Sequence, residues 1–284
     1  MADFITRFPL SRFDELVPLL MRCFPEFWEP RLKRGMRSFP YDLKLFTAEL
    51  DSQRIGCIGL HDYSIEFEDT VIQGHGVSDV AVDPDHRGRG YALQLQEFVL
   101  KYCRRNAANG FMPLYTEKPG VYTRLGWKIY ESDRVTEIQA EYFPKKKTFR
   151  LDPGKLRLSF LRNGGTAKSP EEETAERIRT IYRNGRTFPG KCLRSGKLWW
   201  ELFVDPEYEW QLEGDTYYLY RGEVLYEAYS SDPDHSVSGF TPRHGGHDSN
   251  RVMVNFAKEC NPKEEELAAA VNAKTLIFPA ADVF

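Results

Sequence analysis

The residues richest in chemistry run from Val77 to Leu93, where an apolar run ending Val80-Ala81-Val82 passes through Asp83-Pro84-Asp85-His86 into Arg87-Gly88-Arg89-Gly90-Tyr91-Ala92. Gly88 and Gly90 can take backbone conformations that a side chain would obstruct, so consecutive amides can turn towards one anion. The stretch from Tyr91 to Asn106 places Leu93, Leu95, Phe98, Val99, Tyr102 and Cys103 at roughly helical spacing, with Gln94, Gln96, Lys101, Arg104 and Arg105 between them. A helix N-terminus therefore lies at the glycines, where it favours negative charge. The chemistry this predicts is the holding of a pyrophosphate.

Two kinds of glycine-rich loop do not fit. No Gly-Lys-Ser or Gly-Lys-Thr follows the glycines, and the third position after Gly90 is Leu93, where a dinucleotide fingerprint needs glycine. The run resembles instead the acyl-CoA loop of the GNAT acetyltransferase superfamily. That signature, Arg or Gln, two residues, Gly, one residue, then Gly or Ala, is met by Arg87, Gly90 and Ala92. Downstream, Pro119-Gly120-Val121-Tyr122-Thr123-Arg124-Leu125-Gly126-Trp127 resembles the superfamily's short helix and following strand.

This resemblance implies a cofactor and a set of roles. Acetyl-CoA would be the acyl donor, its pyrophosphate held by the backbone of Gly88, Arg89, Gly90, Tyr91 and Ala92 with help from Arg87 or Arg89. The Val80, Ala81 and Val82 backbone would hold the pantetheine arm, and Tyr122 would protonate the departing thiolate. A packed core tyrosine is the other reading of Tyr122. The acceptor implied is a primary amine on an aminoglycoside, a polyamine or a lysine side chain. The base that frees this amine of its proton is left open between a carboxylate acting through water, the C-terminal carboxylate and backbone carbonyls; Asp79, Glu66, Glu68 and His75 lie near or before the loop strand, where each reads first as a surface charge.

Elements that would position these residues can be read in order. Phe4 to Pro9 predicts a strand, and Ser11 to Cys23 a helix capped by Ser11 with Leu16, Leu19 and Leu20 inward. Leu43–Leu50 and Ile55–Leu60 are predicted strands joined through Asp51-Ser52-Gln53-Arg54. Val77–Val82, Phe111–Thr116 and Trp127–Tyr130 are further predicted strands. The order matches the GNAT plan, an α/β fold with a mixed sheet and helices on both faces.

With 284 residues the chain exceeds one usual domain of about 100 to 200, so two units are expected. The pattern breaks between Glu141 and Gly154, which puts a catalytic unit at 1–144 and a second unit at 145–284. In the latter, Glu171–Arg186 predicts a helix, and Thr216–Tyr220 and Val224–Tyr229 a hairpin, repeating the order of the first unit. A second, diverged GNAT-like domain is therefore expected. Asp232-Pro233-Asp234-His235 echoes the first loop, but Ser236-Val237-Ser238-Gly239 lacks the arginine and glycine spacing, so no second cofactor site is expected.

The second half also resembles the middle domain of the enhanced intracellular survival family of acetyltransferases, through Arg177 to Tyr182, Phe188-Pro189-Gly190 and Trp199-Trp200-Glu201. That family normally carries a third, sterol-carrier-like domain whose terminal carboxylate enters the site. From its length the chain is expected not to contain that domain, and Phe284 is expected to be a frayed end.

Composition narrows the remaining classes. Thirty-nine basic against 42 acidic residues give a net charge of -3, with no global pull towards nucleic acid. Lys145-Lys146-Lys147 reads as a solvated linker. Five scattered cysteines without a Cys-x-x-Cys pair predict a reducing, cytoplasmic setting and no structural metal. No apolar run of about 18 residues predicts a membrane span, and a homo-oligomer is left open. Two other classes compete with the enzyme: a catalytically silent acyl-CoA-binding regulator, and an interaction module using the aromatic second half, with Trp199, Trp200 and Trp210.

Overall fold

The computed structural model describes residues 4–33, 35, 37, 39, 43–67, 70–106, 111–116, 118–130, 145–163, 165–185, 191–194, 196–232, 238–240 and 251–256. The first lobe begins with β1 (Phe4–Phe8), two short helices α1 (Val17–Cys23) and α2 (Pro25–Lys33), then β2 (Lys44–Leu50), β3 (Gln53–Phe67) and β4 (Thr70–Val82). Next come α3 (Tyr91–Asn106), β5 (Phe111–Thr116) and β6 (Lys128–Tyr130). The mixed α/β architecture expected is the one observed.

Side-chain alternation along the strands builds a core on each face of the sheet. Leu45 and Cys57 face α1 and α2, among Leu16, Leu20 and Trp28. Phe46 and Ile58 face α3, among Leu95, Val99 and Cys103. The β2–β3 hairpin turns at Asp51 and Ser52, both at positive φ (48° and 64°), the handedness that a tight hairpin needs. Helix α3 spans the predicted Tyr91 to Asn106.

Ser11 does not cap a helix. Leu10–Glu15 forms a 3-10 turn whose flanking residue is Pro9, and α1 begins only at Val17 with Pro18 in its first turn. Proline fits there because its missing N–H would find no intrahelical partner. Strands β3 and β4 are also longer than the predicted Ile55–Leu60 and Val77–Val82, pairing from Gly56 opposite Val82 out to Phe67 opposite Thr70.

The second lobe contains α4 (Leu158–Asn163), α5 (Pro170–Asn184), α6 (Gly196–Val204) and the strands β8 (Tyr208–Glu213), β9 (Thr216–Arg221), β10 (Val224–Ser230) and β11 (Ser238–Phe240). These strands form one antiparallel sheet in the order β11-β10-β9-β8. Helix α5 starts on a reciprocal cap: Ser169 Oγ accepts the Glu172 amide at 3.1 Å, and Glu172 Oε2 accepts the Lys168 amide at 2.9 Å. Arg157 beside Glu172 holds its carboxyl down at about 2. The Lys145 and Lys146 side chains reach Glu209 and Glu213 at 2.8 and 2.9 Å, tying this part of the basic run to the second sheet.

Two segments cross between lobes. β7 (Lys191–Cys192) pairs with the far end of β3, and β12 (Arg251–Phe256) lies between β5 and β6. The first sheet thus has the order β1-β2-β3-β4-β5-β12-β6, so residues 251–256, within the stretch expected as the second unit at 145–284, pair in the first sheet. The physical reason is non-local: both edges need backbone partners, and a six-residue alternating segment carries no label saying which edge it will complete. Among the described residues no helix is long and apolar enough to cross a membrane.

Candidate active site

Strands β4 and β5 run parallel, yet their ladder consists of a single register pair, Val77 with Leu114. Two residues later β4 bulges. Cys57 pairs with Ala81 and Gly59 with Ser78, so Asp79 and Val80 share the single partner position of Ile58. Asp79 sits at φ 51°, and its carbonyl accepts the Cys57 thiol at 3.3 Å. A cleft of about 750 Å³ opens here, lined by Val77–Val82 on one side and Leu114–Thr116 on the other.

The predicted anion loop closes one end of this cleft. Asp83 is buried and organises the turn: its Oδ1 accepts the Asp85 amide at 2.9 Å, and its Oδ2 meets Arg22 at 2.8 Å. The other Arg22 nitrogen reaches Asp85 at 2.7 Å, fastening α1 to the loop. Gly88 and Gly90 take φ of 76° and 82°, with no protein atom within 4 Å of where a Cβ would stand. Gly90 O accepts the Gln94 amide at 3.1 Å and starts α3, whose first-turn amides lack intrahelical acceptors. The loop can thus present main-chain donors to an anion with room for it to approach.

Val80, Ala81, Val82, Arg87, Gly88, Gly90, Tyr91 and Ala92 all line the cleft, as does Tyr122. Arg89 is exposed and is not among the lining residues. Arg87 lies back on the strand, its Nε donating to Val82 O at 3.1 Å. The Cys23 thiol donates to the same carbonyl at 3.3 Å.

Tyr122 stands between two 3-10 turns, Pro119–Val121 and Thr123–Leu125, the second ended by Gly126 at φ 85°. It is 7% exposed and packs edge-on against Trp127, with ring centroids 6.1 Å apart. Burial raises its phenol above the ordinary value, with the neighbouring Thr116 acting in the opposite direction. The proton therefore stays on Tyr122 at neutral pH.

Of the four base candidates, Asp79 alone is seen in the cleft, with Ser78 Oγ donating to its Oδ2 at 2.9 Å. Glu66 sits opposite Lys191 at the far end of β3, and His75 meets Asp62 at 3.4 Å. Glu68, Phe284 and residues 233–237 of the second loop lie outside the described residues. The sequence missed Cys23, Phe24 and Glu26, which also line the cleft, Cys23 beside Val82. They come from the α1–α2 junction, some 60 residues before the loop, and no local pattern marks them.

The aromatic residues of the second lobe are core: Trp199, Trp210, Tyr217 and Tyr229 are buried around α5 and α6. Among the described residues no group of three potential metal ligands occurs.

Comparison with known proteins bears on this cleft. Residues 5–130 match the acetyltransferase (GNAT) domain family. Solved structures with a similar fold include Eis1 from Mycobacterium abscessus, at 15% identity and TM-score 0.56, with 90% of this chain and 74% of that one covered. A GCN5-related N-acetyltransferase from Kribbella flavida matches at 15% identity and TM-score 0.52, covering 89% and 70%. Another from Anabaena variabilis matches at 12% identity and TM-score 0.56, covering 90% and 73%. At these identities the likeness is one of fold. No curated protein matches the sequence.

Proposed function

We propose that this chain, whose residues 5–130 form an acetyltransferase (GNAT) domain, transfers acetyl from acetyl-CoA to a primary amine by direct attack in a ternary complex. One observation carries the reading: a single cleft joins an anion-binding loop, an unpaired strand edge and a buried, protonated tyrosine. When bound, acetyl-CoA supplies an acetyl group already activated as a thioester.

The chain's own residues do the rest. Amides from Gly88 to Ala92, with Arg87 beside them, hold the diphosphate. The Val80–Val82 main chain, which β5 leaves unpaired, holds the pantetheine arm as a neighbouring strand would, and its amides polarise the acyl carbonyl. Tyr122 gives its proton to the leaving sulfur. A free thiol ionises near about 8.5 and tyrosine near about 10, so the hydroxyl acts as a positioned donor and not as a strong acid.

The acceptor must arrive neutral. Deprotonating a lysine-like amine of pKa about 10.4 at pH 7 costs roughly 4 to 5 kcal/mol, and Asp79, which shares the cleft with Glu26, is our assignment for the carboxylate that takes that proton through water. The second lobe, as a diverged GNAT-like unit without a cofactor loop, walls the acceptor channel. Cys23, Cys57, Cys103 and Cys192, none of them in a disulfide, suit a cytoplasmic enzyme.

Acetyl-CoA incubated with a panel of polyamines, aminoglycosides and lysine peptides should release free thiol. Tyr122→Phe should bind acetyl-CoA normally and turn over about 10²- to 10⁴-fold more slowly. Wild-type turnover in that variant would return Tyr122 to a packing role. Binding without thiol release from any amine would favour the silent regulator.

A further inference from the structure

We propose that Arg22 is a positioning residue for the cofactor's diphosphate: by bridging Asp83 and Asp85 it cancels their charge and holds the glycine loop ready for a polyanion. The inference rests on the acetyl-CoA reading above and names a side chain that acts through the loop.

A loop that takes a diphosphate should not repel it. The turn leading into this one carries two carboxyl groups, Asp83 and Asp85, which offset the two cations that follow them, Arg87 and Arg89. Arg22 on α1 tips that balance. Its guanidinium, charged at every working pH, forks between the pair: one terminal nitrogen meets Asp83 Oδ2 at 2.8 Å and the other meets Asp85 Oδ2 at 2.7 Å. An arginine can only donate, so the direction of both contacts is fixed. Arg22, Arg87 and Arg89 then outnumber the two carboxyl groups.

The fork also anchors the turn. The Asp83 side chain is 4% exposed and that of Asp85 74%, so Arg22 ties the outer carboxyl to the inner one. Asp83 is itself held on other sides: its amide donates to Ile55 O and its carbonyl accepts the His86 amide, both at 2.8 Å. Its Oδ1 accepts the Asp85 amide at 2.9 Å, with His86 Nδ1 3.6 Å away. Arg22 holds the Asp85 carboxyl below its ordinary range. The next residue, Cys23, donates its thiol to Val82 O at 3.3 Å, so two consecutive side chains of α1 grip the strand end and the turn. Arg22 is not among the residues lining the cleft, whereas His86, Arg87, Gly88 and Gly90 are.

Two acyl donors separate this role from general support of the fold. Acetyl-CoA carries the diphosphate, and acetyl-pantetheine is the same thioester without it. Arg22→Met removes the charge and keeps an apolar stem. It should raise the Kd and KM of acetyl-CoA about ten-fold or more, with a much smaller change in kcat, and leave kcat/KM for acetyl-pantetheine little changed. Arg22→Lys, which keeps the charge and loses the fork, should fall between wild type and Arg22→Met. Adding Asp83→Asn and Asp85→Asn to Arg22→Met should recover most of the lost affinity, because an asparagine oxygen still accepts the turn amide and the unbalanced charge has gone. Should Arg22→Met fail to fold, Arg22→Lys and the triple variant make the same comparison. Equal losses with both donors, or a triple variant no tighter than the variant altered at Arg22 alone, overturn the proposal and leave Arg22 a contact of the fold. A wild-type chain that takes neither donor is a different result, which overturns the acetyltransferase reading itself.

Discussion

In the first lobe β4 and β5 share one register pair and then part, whereas in the second lobe β8 and β9 keep an unbroken ladder from Tyr208 opposite Arg221 to Glu213 opposite Thr216. Buried backbone groups need partners. A complete ladder satisfies them internally and has nothing left for a ligand. The first sheet leaves the Val80–Val82 edge without a strand partner on the β5 side, and a ligand can take that place.

The glycines follow the same division. Gly90 has open space on its Cβ side, while a Cβ on Gly185 would stand 2.9 Å from both Ile181 O and Ser230 O. One glycine leaves room for an incoming group, and the other lets α5 end against β10. The second lobe spends its burial on packing. Arg194 and Glu227 pair with fully buried side chains, Tyr217 also donates to Glu227, and Arg194 stacks 4.2 Å over the Tyr182 ring.

If the lobes divide stability from binding in this way, the largest effect should come from breaking that pair. Arg194→Ala strands a buried carboxylate and should lower the unfolding free energy by about 3–5 kcal/mol in urea titration. The acetyl-CoA Kd of the folded fraction should not change, and a large change would show that the second lobe shapes the cofactor cleft.

Next comes acid. Burial pushes the His61 imidazole down to about 4, and burial also lowers His75. The unfolded chain binds these protons near about 6.5 while the fold resists them, so stability is full above that pH and drains away between about 6.5 and 4. For His61 alone the loss is about 3 kcal/mol. His61→Gln should flatten the decline in melting temperature over this window, and an unchanged slope would count against it.

The smallest effects separate the glycines. Gly185→Ala should destabilise by about 1–3 kcal/mol through its two carbonyl clashes and leave binding alone. Gly90→Ala meets no protein atom and should cost about 1–2 kcal/mol for its positive φ, with the larger change appearing in acetyl-CoA affinity. Equal effects of the two on affinity would erase the distinction.

What the sequence revealed follows the range of the forces involved. Helix α3 and its glycine loop are written locally, in the spacing of Leu95, Val99 and Cys103 and in Gly88 and Gly90. The Asp51-Ser52 turn was legible for the same reason. The Asp79 bulge was not, because it arises from a mismatch with β3 across the sheet. Strand β12 lies far from its neighbours in sequence, with the whole second lobe between. Ser11 misled because a good capping residue is only an opportunity, and Pro18 set the helix start later.

The central claim is that one cleft, between β4 and β5 and closed by the glycine loop, is where the cofactor binds. Calorimetric titration of acetyl-CoA into the wild-type chain and into Gly90→Val measures this directly. The expected result is one site per chain in the wild type, and no binding to a Gly90→Val protein that still melts cooperatively. Undiminished binding to that folded variant, or two sites per chain in the wild type, would contradict it.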